Sequence, residues 1–348
     1  MKEYLTSARL ARSHGDVSRF HIDLNAAHTI LAQACLGTLL RLDEHIENSG
    51  PKEFPLAKYA AQHWVEHAQF EQVSPHVWGG IYEIFDTSKP YFAAWLRVYD
   101  IDEIWSGFSR HGDHGGSPLY YAALCGFYDL TEHLIMKYPD QVNAGGGRIL
   151  APLPAALYKR HFRVADLLRR HGAAVDVPGD TGWTPLHMET LSGNVDIVRW
   201  LLDHGADANA QSDARRTPLH MAAHTIHLEA VLALLTHNAD INSQNVSGET
   251  PLYEALGCSG PSPRQVFDVV RQLLEHGADI NIPDRSHSTP LHKASSRGWP
   301  EVVRLLLSYG AKVHEKDEQG RTPFQVALSK EHYETMKLLL EHGAVSQP

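Results

Sequence analysis

Apolar residues recur at helical spacing in short blocks through the last two-thirds of the chain. Residues 195–202 and 301–307 show the pattern in its longest form, with charged residues between aliphatic ones. Each of these blocks follows a shorter stretch of small and apolar residues, such as 218–223. Apolar positions three and four residues apart lie on one face of a helix. The pattern therefore predicts pairs of short amphipathic helices and an all-α fold.

A Ser/Thr-Pro-Leu/Phe motif marks the start of each predicted pair. Threonine before proline is typical of a helix start, because its hydroxyl accepts a free backbone N–H and proline suits the first helical position. The prolines of six copies, and of a weaker seventh at 151–153 that begins with alanine, are residues 118, 152, 185, 218, 251, 290 and 323, so the copies lie 33 or 34 residues apart except for one interval of 39. A fixed period of this size indicates a repeat architecture.

The second helix of each pair is predicted to end at a glycine. Glycine adopts the left-handed conformation that commonly follows a helix C-terminus, and asparagine also enters it. The fourth unit has Asn238 in this place, whereas four other units have Gly205, Gly277, Gly310 and Gly343. A polar turn such as residues 317–320 then leads into the next unit.

These units resemble ankyrin repeats. The resemblance rests on the period, on Thr-Pro-Leu-His helix starts at 184–187 and 217–220, and on His-Gly-Ala-Asp-x-Asn turns at 204–209 and 276–281. It covers roughly residues 113 to 345. It implies a right-handed helical solenoid of about seven repeats over residues 111–348, which binds a protein partner and is not an enzyme.

Three units depart from the pattern. The second has Pro154 where the motif has histidine, and the first ends in residues 145–147, three glycines, without the His-Gly-Ala turn. Both are expected to be altered end repeats that pack against the N-terminal domain. The fifth has about six extra residues around 259–263, between its two helices. That insertion is either a tolerated surface loop or a loop that contacts a partner.

Residues 1–110 lack the repeat and are predicted to form a small helical bundle. Apolar spacing predicts helices over 26–47, 55–70, 77–85 and 91–99, separated by glycine and proline. Trp95, Tyr99 and Trp105 are suited to packing this domain on the first repeat.

Part of this domain resembles the segment that joins the NTPase half to the ankyrin array in fungal NACHT-type, NOD-like receptor proteins. Residues 2–7, 27–36 and 55–64 show the likeness. It implies that the chain is the sensing part of such a receptor. The sequence has no Gly-Lys dipeptide, so a phosphate-binding loop, and with it nucleotide hydrolysis, is not implied.

Charge and composition argue against two classes of binding partner, nucleic acids and membranes. The net charge is −10, with 31 Lys and Arg against 41 Asp and Glu, and no basic block is present, which argues against nucleic acid. The longest uncharged stretch, 24–40, is short and interrupted by polar residues, which argues against a membrane. Three scattered cysteines favour a reducing compartment, the cytoplasm with the nucleus as the alternative. No cofactor, metal or small-molecule substrate is predicted.

The 24 histidines raise the question of metal or acid–base chemistry. Eight occupy repeat positions and are predicted to bond backbone groups between units: His171, His187, His204, His220, His237, His276, His292 and His342. The alternative to a binding module is an enzyme or metal-binding protein with its site in the N-terminal domain. That site would comprise His63, Glu66, His67 and Glu71, which lie on neighbouring helical positions but lack a nucleophile or a full ligand set.

The predicted partner-binding surface is the concave face of the stack. It is formed by the residues before Thr-Pro, those that close the first helix, and the turn tips. The residues are Trp183, Leu191, Asp213, Arg216, His224, Glu249, Arg285, Arg297, Arg321 and Lys330. Trp183, Arg216 and Arg321 are the leading anchors, because tryptophan and arginine most often dominate interfaces. The second helices are predicted to bury Leu201, Leu202, Leu234, Leu235, Leu305 and Leu306.

Overall fold

A computed structural model describes residues 24–42, 56–69, 73–98, 116–145, 151–179, 181–258, 260 and 262–344. These residues form 18 α-helices and no strand, so the predicted all-α fold is confirmed. The chain divides into two compact units, residues 1–174 and 175–348. The predicted domain boundary between residues 110 and 111 lies outside the described residues and stays a prediction.

The first unit contains four N-terminal helices and the first two repeats. Its helices are α1 Leu24–Leu39, α2 Ala57–Ala68, α3 Ser74–Ile84, α4 Tyr91–Val98, α5 Pro118–Leu124, α6 Tyr128–Lys137, α7 Pro152–Tyr158 and α8 Phe162–Arg170, with a 3-10 helix at Pro139–Asn143. The first helix was predicted to extend to residue 47. It ends instead at Leu39, where Leu40 and Arg41 form a turn, and residues 43–47 lie outside the described part.

Aromatic side chains join the N-terminal helices to the first repeat, as predicted. The Trp64 ring stacks on Phe127 with centroids 5.5 Å apart, and Trp95 contacts Tyr121 edge-on at 6.1 Å. Trp64 and Trp95 are fully buried, and the Trp95 indole N–H donates to the Ala61 carbonyl at 3.1 Å. Buried aromatic pairs of this kind stabilise a core beyond their area. The predicted contacts of Tyr99 and Trp105 lie outside the described residues.

The second unit contains five repeats, each a pair of helices. They are α9 Pro185–Ser192, α10 Val195–Asp203, α11 Pro218–Thr225, α12 Leu228–Thr236, α13 Pro251–Gly257, α14 Pro263–Glu275, α15 Pro290–Arg297, α16 Pro300–Ser308, α17 Pro323–Ser329 and α18 Tyr333–Glu341. All five first helices begin with proline in the first turn after a threonine N-cap. Neighbouring first helices pack against each other, and so do neighbouring second helices.

Three histidines connect consecutive repeats, as predicted. The Nε2 atoms of His187, His220 and His292 lie 2.9, 3.0 and 3.0 Å from a backbone carbonyl oxygen of the next repeat. Their Nδ1 atoms accept the backbone N–H of the threonine three residues earlier. The ring is thus neutral with its proton on Nε2, and burial lowers the pKa of all three.

The histidines before the turns behave differently. In His204, His237, His276 and His342, Nδ1 lies within 3 Å of the carbonyl oxygen four residues earlier in the same helix. For His237, His276 and His342 the prediction of a bond to a backbone group of another repeat was wrong, because the helix end leaves its own last carbonyls open. At these turns, asparagine side chains bond the backbone of the next repeat. Asn209 Oδ1 accepts from Asp240 N at 2.6 Å, and Asn242 Oδ1 accepts from Asp279 N at 2.8 Å.

The core predicted from the leucines is correct at four of six positions. Leu201, Leu202, Leu234 and Leu306 are buried, whereas Leu235 and Leu305 are only half-buried. The residues next to them in sequence, Leu234 and Leu306, are fully buried. Successive helical residues differ by about 100° around the axis, so one residue decides which face is buried.

Candidate protein-binding face

In the second unit, the first helices and the residues before Thr-Pro place equivalent side chains in a row. We call this row the first-helix face. It comprises Trp183, Met188, Leu191, Arg216, His224, Glu249, Glu254, Gly257, Lys293, Arg297, Arg321 and Lys330. The five helices that hold it, α9, α11, α13, α15 and α17, pack side by side. Because the residue types differ between repeats, the polarity and charge of the face change from one repeat to the next.

A buried carboxylate lies at the middle of the face. Glu254, on α13, has a side chain only 3% exposed. Arg216 reaches it from the preceding repeat with two hydrogen bonds, Nε to Oε1 at 2.8 Å and Nη2 to Oε2 at 2.9 Å. The buried Asn245 also donates to Oε1 at 2.9 Å. A forked arginine–carboxylate pair is a strong, directional contact, so Arg216 is held in place by its own protein.

His224 borders this cluster. Its Nδ1 lies 3.1 Å from Glu254 Oε2, yet the two atoms are not aligned for a hydrogen bond. Sequence reasoning selected Arg216 and His224 but missed Glu254, their common neighbour. A detectable signal existed, because Glu254 occupies the position of Met188 and Met221 in the two preceding repeats.

The end of the face at α9 is apolar. Trp183, Met188 and Leu191 are all half-buried, so each keeps accessible surface. The Trp183 ring lies against His187 with centroids 6.3 Å apart and planes inclined by 28°. Packing on one side thus fixes the indole and leaves the rest of it available. Rigid, partly exposed aromatic side chains are typical interface anchors.

The opposite end of the face is cationic. Lys293 and Arg297 come from α15, Arg321 precedes the next Thr-Pro, and Lys330 follows α17. Arg321 pairs with the nearly buried Asp317 at 2.8 Å. Burial alone would raise the pKa of Asp317, but hydrogen bonds from Arg321 and its charge outweigh that effect and lower it. Lys330 is exposed.

The remaining predicted residues lie at the turns. Asp213 and Arg285 are exposed at the turn tips, and their backbone N–H groups donate to Thr181 and Ser247 of the preceding turn, at 3.1 and 2.9 Å. Glu249 is half-buried and accepts from Asn245 Nδ2 at 3.0 Å. Their side chains border the face rather than form its centre.

The alternative site in the N-terminal helices is divided by the structure. His63 and Glu66 form an exposed pair with 3.5 Å between Nδ1 and Oε2. His67 lies one turn further along α2 with its ring centroid 6.5 Å from that of His63, but it is buried, and its Nδ1 lies 2.9 Å from His28 Nδ1. Glu71 lies outside the described residues. Within the described part of the chain, no group of three or more His, Cys, Asp or Glu side chains is placed to hold a metal ion.

Two further features concern the cysteines and the length of the helices. Cys35, Cys125 and Cys258 are buried and form no disulfide within the described residues, and burial raises the pKa of Cys35 and Cys258. None of the helices in the described ranges is both long and apolar enough to cross a membrane.

The structure is that of a helical repeat protein, because helix pairs that begin with proline are joined to the next repeat by histidine and asparagine hydrogen bonds. A model of the family described as ankyrin repeats matches three times, over residues 119–212, 207–284 and 262–347. Because these matches cover more than half of the chain, it belongs to the ankyrin-repeat family. The predicted resemblance of the repeats is therefore confirmed.

Individual relatives share shorter stretches. The azaphilone pigments biosynthesis cluster protein L of Monascus ruber is 31% identical over 193 residues, which are 50% of this chain and 40% of the relative. The ankyrin repeat protein nuc-2 of Neurospora crassa is 30% identical over 93 residues, 27% of this chain and 9% of the relative. The chain thus spans less than half the length of the curated relatives it matches.

Proposed function

We propose that the chain is a protein-interaction scaffold that binds its partner on the first-helix face, the concave side of the ankyrin stack. Ankyrin repeats are typically non-catalytic and suggest protein–protein interaction. The observation that most supports this site is the half-buried apolar group Trp183, Met188 and Leu191, which packing between repeats does not cover completely. A surface with fixed aromatic and aliphatic side chains beside charged ones has the composition of an interface.

Site-specific photo-crosslinking tests this proposal. A photoreactive amino acid is placed at Leu191 on the face and, as the matched control, at Arg304 on the exposed side of α16. The expected result in an extract of the source organism is a discrete crosslinked partner from position 191 and none from position 304. The proposal would be wrong if both positions gave the same products. It would also be wrong if only the N-terminal helices, probed at the exposed Tyr59, gave a specific one.

We further propose that the chain is the sensing part of a fungal NOD-like receptor, in which the N-terminal helices join the repeats to an NTPase. Support comes from the resemblance in residues 2–7, 27–36 and 55–64. The packing of Trp64 and Trp95 on the first repeat also fits a joining segment. Mass spectrometry of the endogenous protein, captured by an antibody against the repeats, tests this. Peptides from an NTPase in the same polypeptide are expected, and a polypeptide without them would exclude the receptor.

A further inference from the structure

Two cations on the first-helix face converge on a residue without a side chain. Gly257 ends α13 at the position that Leu191 and His224 occupy in other repeats. Arg297 donates from Nη2 to the Gly257 carbonyl oxygen. A Cβ built on Gly257 would lie 3.5 Å from Lys293 Cε and 3.7 Å from its Nζ. Glycine at position 257 therefore leaves room for the Lys293 side chain, and its backbone is bordered by an ammonium and a guanidinium group.

Lys293 and Arg297 differ from Arg216 and Arg321 in having no carboxylate partner within the described part of the chain. Arg216 is neutralised by Glu254 and Arg321 by Asp317. In contrast, the structure places no described carboxylate within the 4.0 Å ion-pair distance of Lys293 or Arg297. Lys293 Nζ instead lies 5.0 Å from the centre of the Tyr253 ring, and the Arg297 guanidinium lies 5.6 Å from that of Trp299. Aromatic contacts orient both cations but leave their charge uncompensated.

The distance between the two ends of the face limits what can occupy it. The charged contact lies between α13, which holds Gly257, and α15, which holds the two cations, so it is two to three helix-to-helix steps from the apolar group on α9. Packed helices lie 8–10 Å apart, which gives roughly 16–30 Å. An extended chain spans about 3.3–3.6 Å per residue, so a segment lying along the face needs about five to nine residues between its two contacts.

We propose that the first-helix face binds an extended segment of a partner protein. An Asp or Glu of this segment binds Lys293 and Arg297 beside Gly257, and an apolar or aromatic residue about five to nine positions away packs on Trp183 and Leu191. The acidic residue supplies the carboxylate that these cations lack, and a guanidinium and ammonium bind it through charge-assisted hydrogen bonds. This inference rests on the proposed function of the same face.

Selection of a random 15-residue peptide library on the full chain tests the inference. Enriched peptides are expected to have an Asp or Glu about five to nine residues from an aromatic or aliphatic residue. A selected peptide should bind Lys293→Gln and Gly257→Leu at least about tenfold more weakly, and its Glu→Gln analogue should lose the same factor against the wild type, about 1.4 kcal/mol. Arg304→Gln, at an exposed position of α16 outside the face, serves as the control and should retain the affinity within about twofold.

The outcomes separate the inference from the proposed function. Peptides that depend on Trp183 and Leu191 but show no preference for acidic residues, or that bind Lys293→Gln unchanged, would overturn the inference and leave the face as the binding site. A selection without any peptide that depends on Trp183 or Leu191 would overturn both. Circular dichroism of each variant verifies that the helices are retained.

Discussion

Replacing Arg216 by alanine is expected to destabilise the second unit. The change removes two hydrogen bonds from a carboxylate whose side chain is 3% exposed, and Asn245 remains as its donor. Breaking a fully buried pair costs about 3–5 kcal/mol, because one charge stays buried without its partner. Arg216 is itself 32% exposed, so water can partly replace it. We therefore expect a loss of about 2 kcal/mol in the free energy of unfolding.

A double-mutant cycle isolates this interaction. Glu254→Met is the natural partner change, because Met188 and Met221 occupy the equivalent positions in the preceding repeats. In the Glu254→Met background, Arg216→Ala should cost less than about 0.5 kcal/mol, since no buried charge remains to be left unpaired. Urea titration followed by circular dichroism measures both, with the slope compared between variants because repeat proteins can unfold in parts.

Arg285→Ala is the control, an arginine at an exposed turn tip whose side chain is outside the cluster. It should change the free energy of unfolding by no more than about 0.5 kcal/mol. Equal effects of Arg216→Ala in the wild-type and Glu254→Met backgrounds would refute the reasoning. So would an effect of Arg216→Ala as small as that of Arg285→Ala.

Two further changes test the packing and the buried histidines. Leu306→Ala should lower the free energy of unfolding by about 2–5 kcal/mol, and Leu305→Ala by clearly less, because Leu306 is fully buried and Leu305 is not. Equal losses in urea titrations would show that the buried face of the helix is assigned wrongly. The urea midpoint should decrease when the pH is lowered from about 7.5 to about 6. The pKa of His220 is lower in the folded than in the unfolded state, so below a pH of about 6.5 the unfolded chain binds a proton that the folded chain does not, and this stabilises the unfolded state. His220→Gln, which copies the Gln325 cap of the last repeat, should have a smaller pH dependence, and an unchanged one would exclude His220 as a source.

Much of the fold was predictable because the signals within each repeat are local. A threonine, a proline and a histidine within four residues determine a helix start, and the structure confirms the histidine bond to the next repeat at all three Thr-Pro-Leu-His copies. Three consecutive leucines, 305–307, contain no such signal. The burial of Leu306 and Leu307 but not Leu305 depends on which neighbouring helix lies on each side, which a single repeat does not specify.

The site was predictable only as a set of positions. The period places Trp183, Arg216 and Arg321 at equivalent points, so their shared location could be anticipated. Their partners could not, since Arg216 bonds a residue 38 positions away whereas Arg321 bonds one only four away. The sequence therefore pointed to only part of the face, without Glu254, Gly257 and Lys293, and did not show which of its side chains are already engaged.

The engagement of Arg216 changes how binding experiments on it must be interpreted. A partner that bonds Arg216 has to compete with Glu254, and it leaves a buried carboxylate with fewer donors. Part of the binding energy would be offset by that desolvated charge. Weaker binding by Arg216→Ala, together with a lower urea midpoint, is thus no evidence of direct contact. The Arg216→Ala/Glu254→Met double variant removes the pair as a whole. If it binds the partner as the wild type does, Arg216 supports the face, and recognition depends on Trp183, Leu191 and the cations beside Gly257.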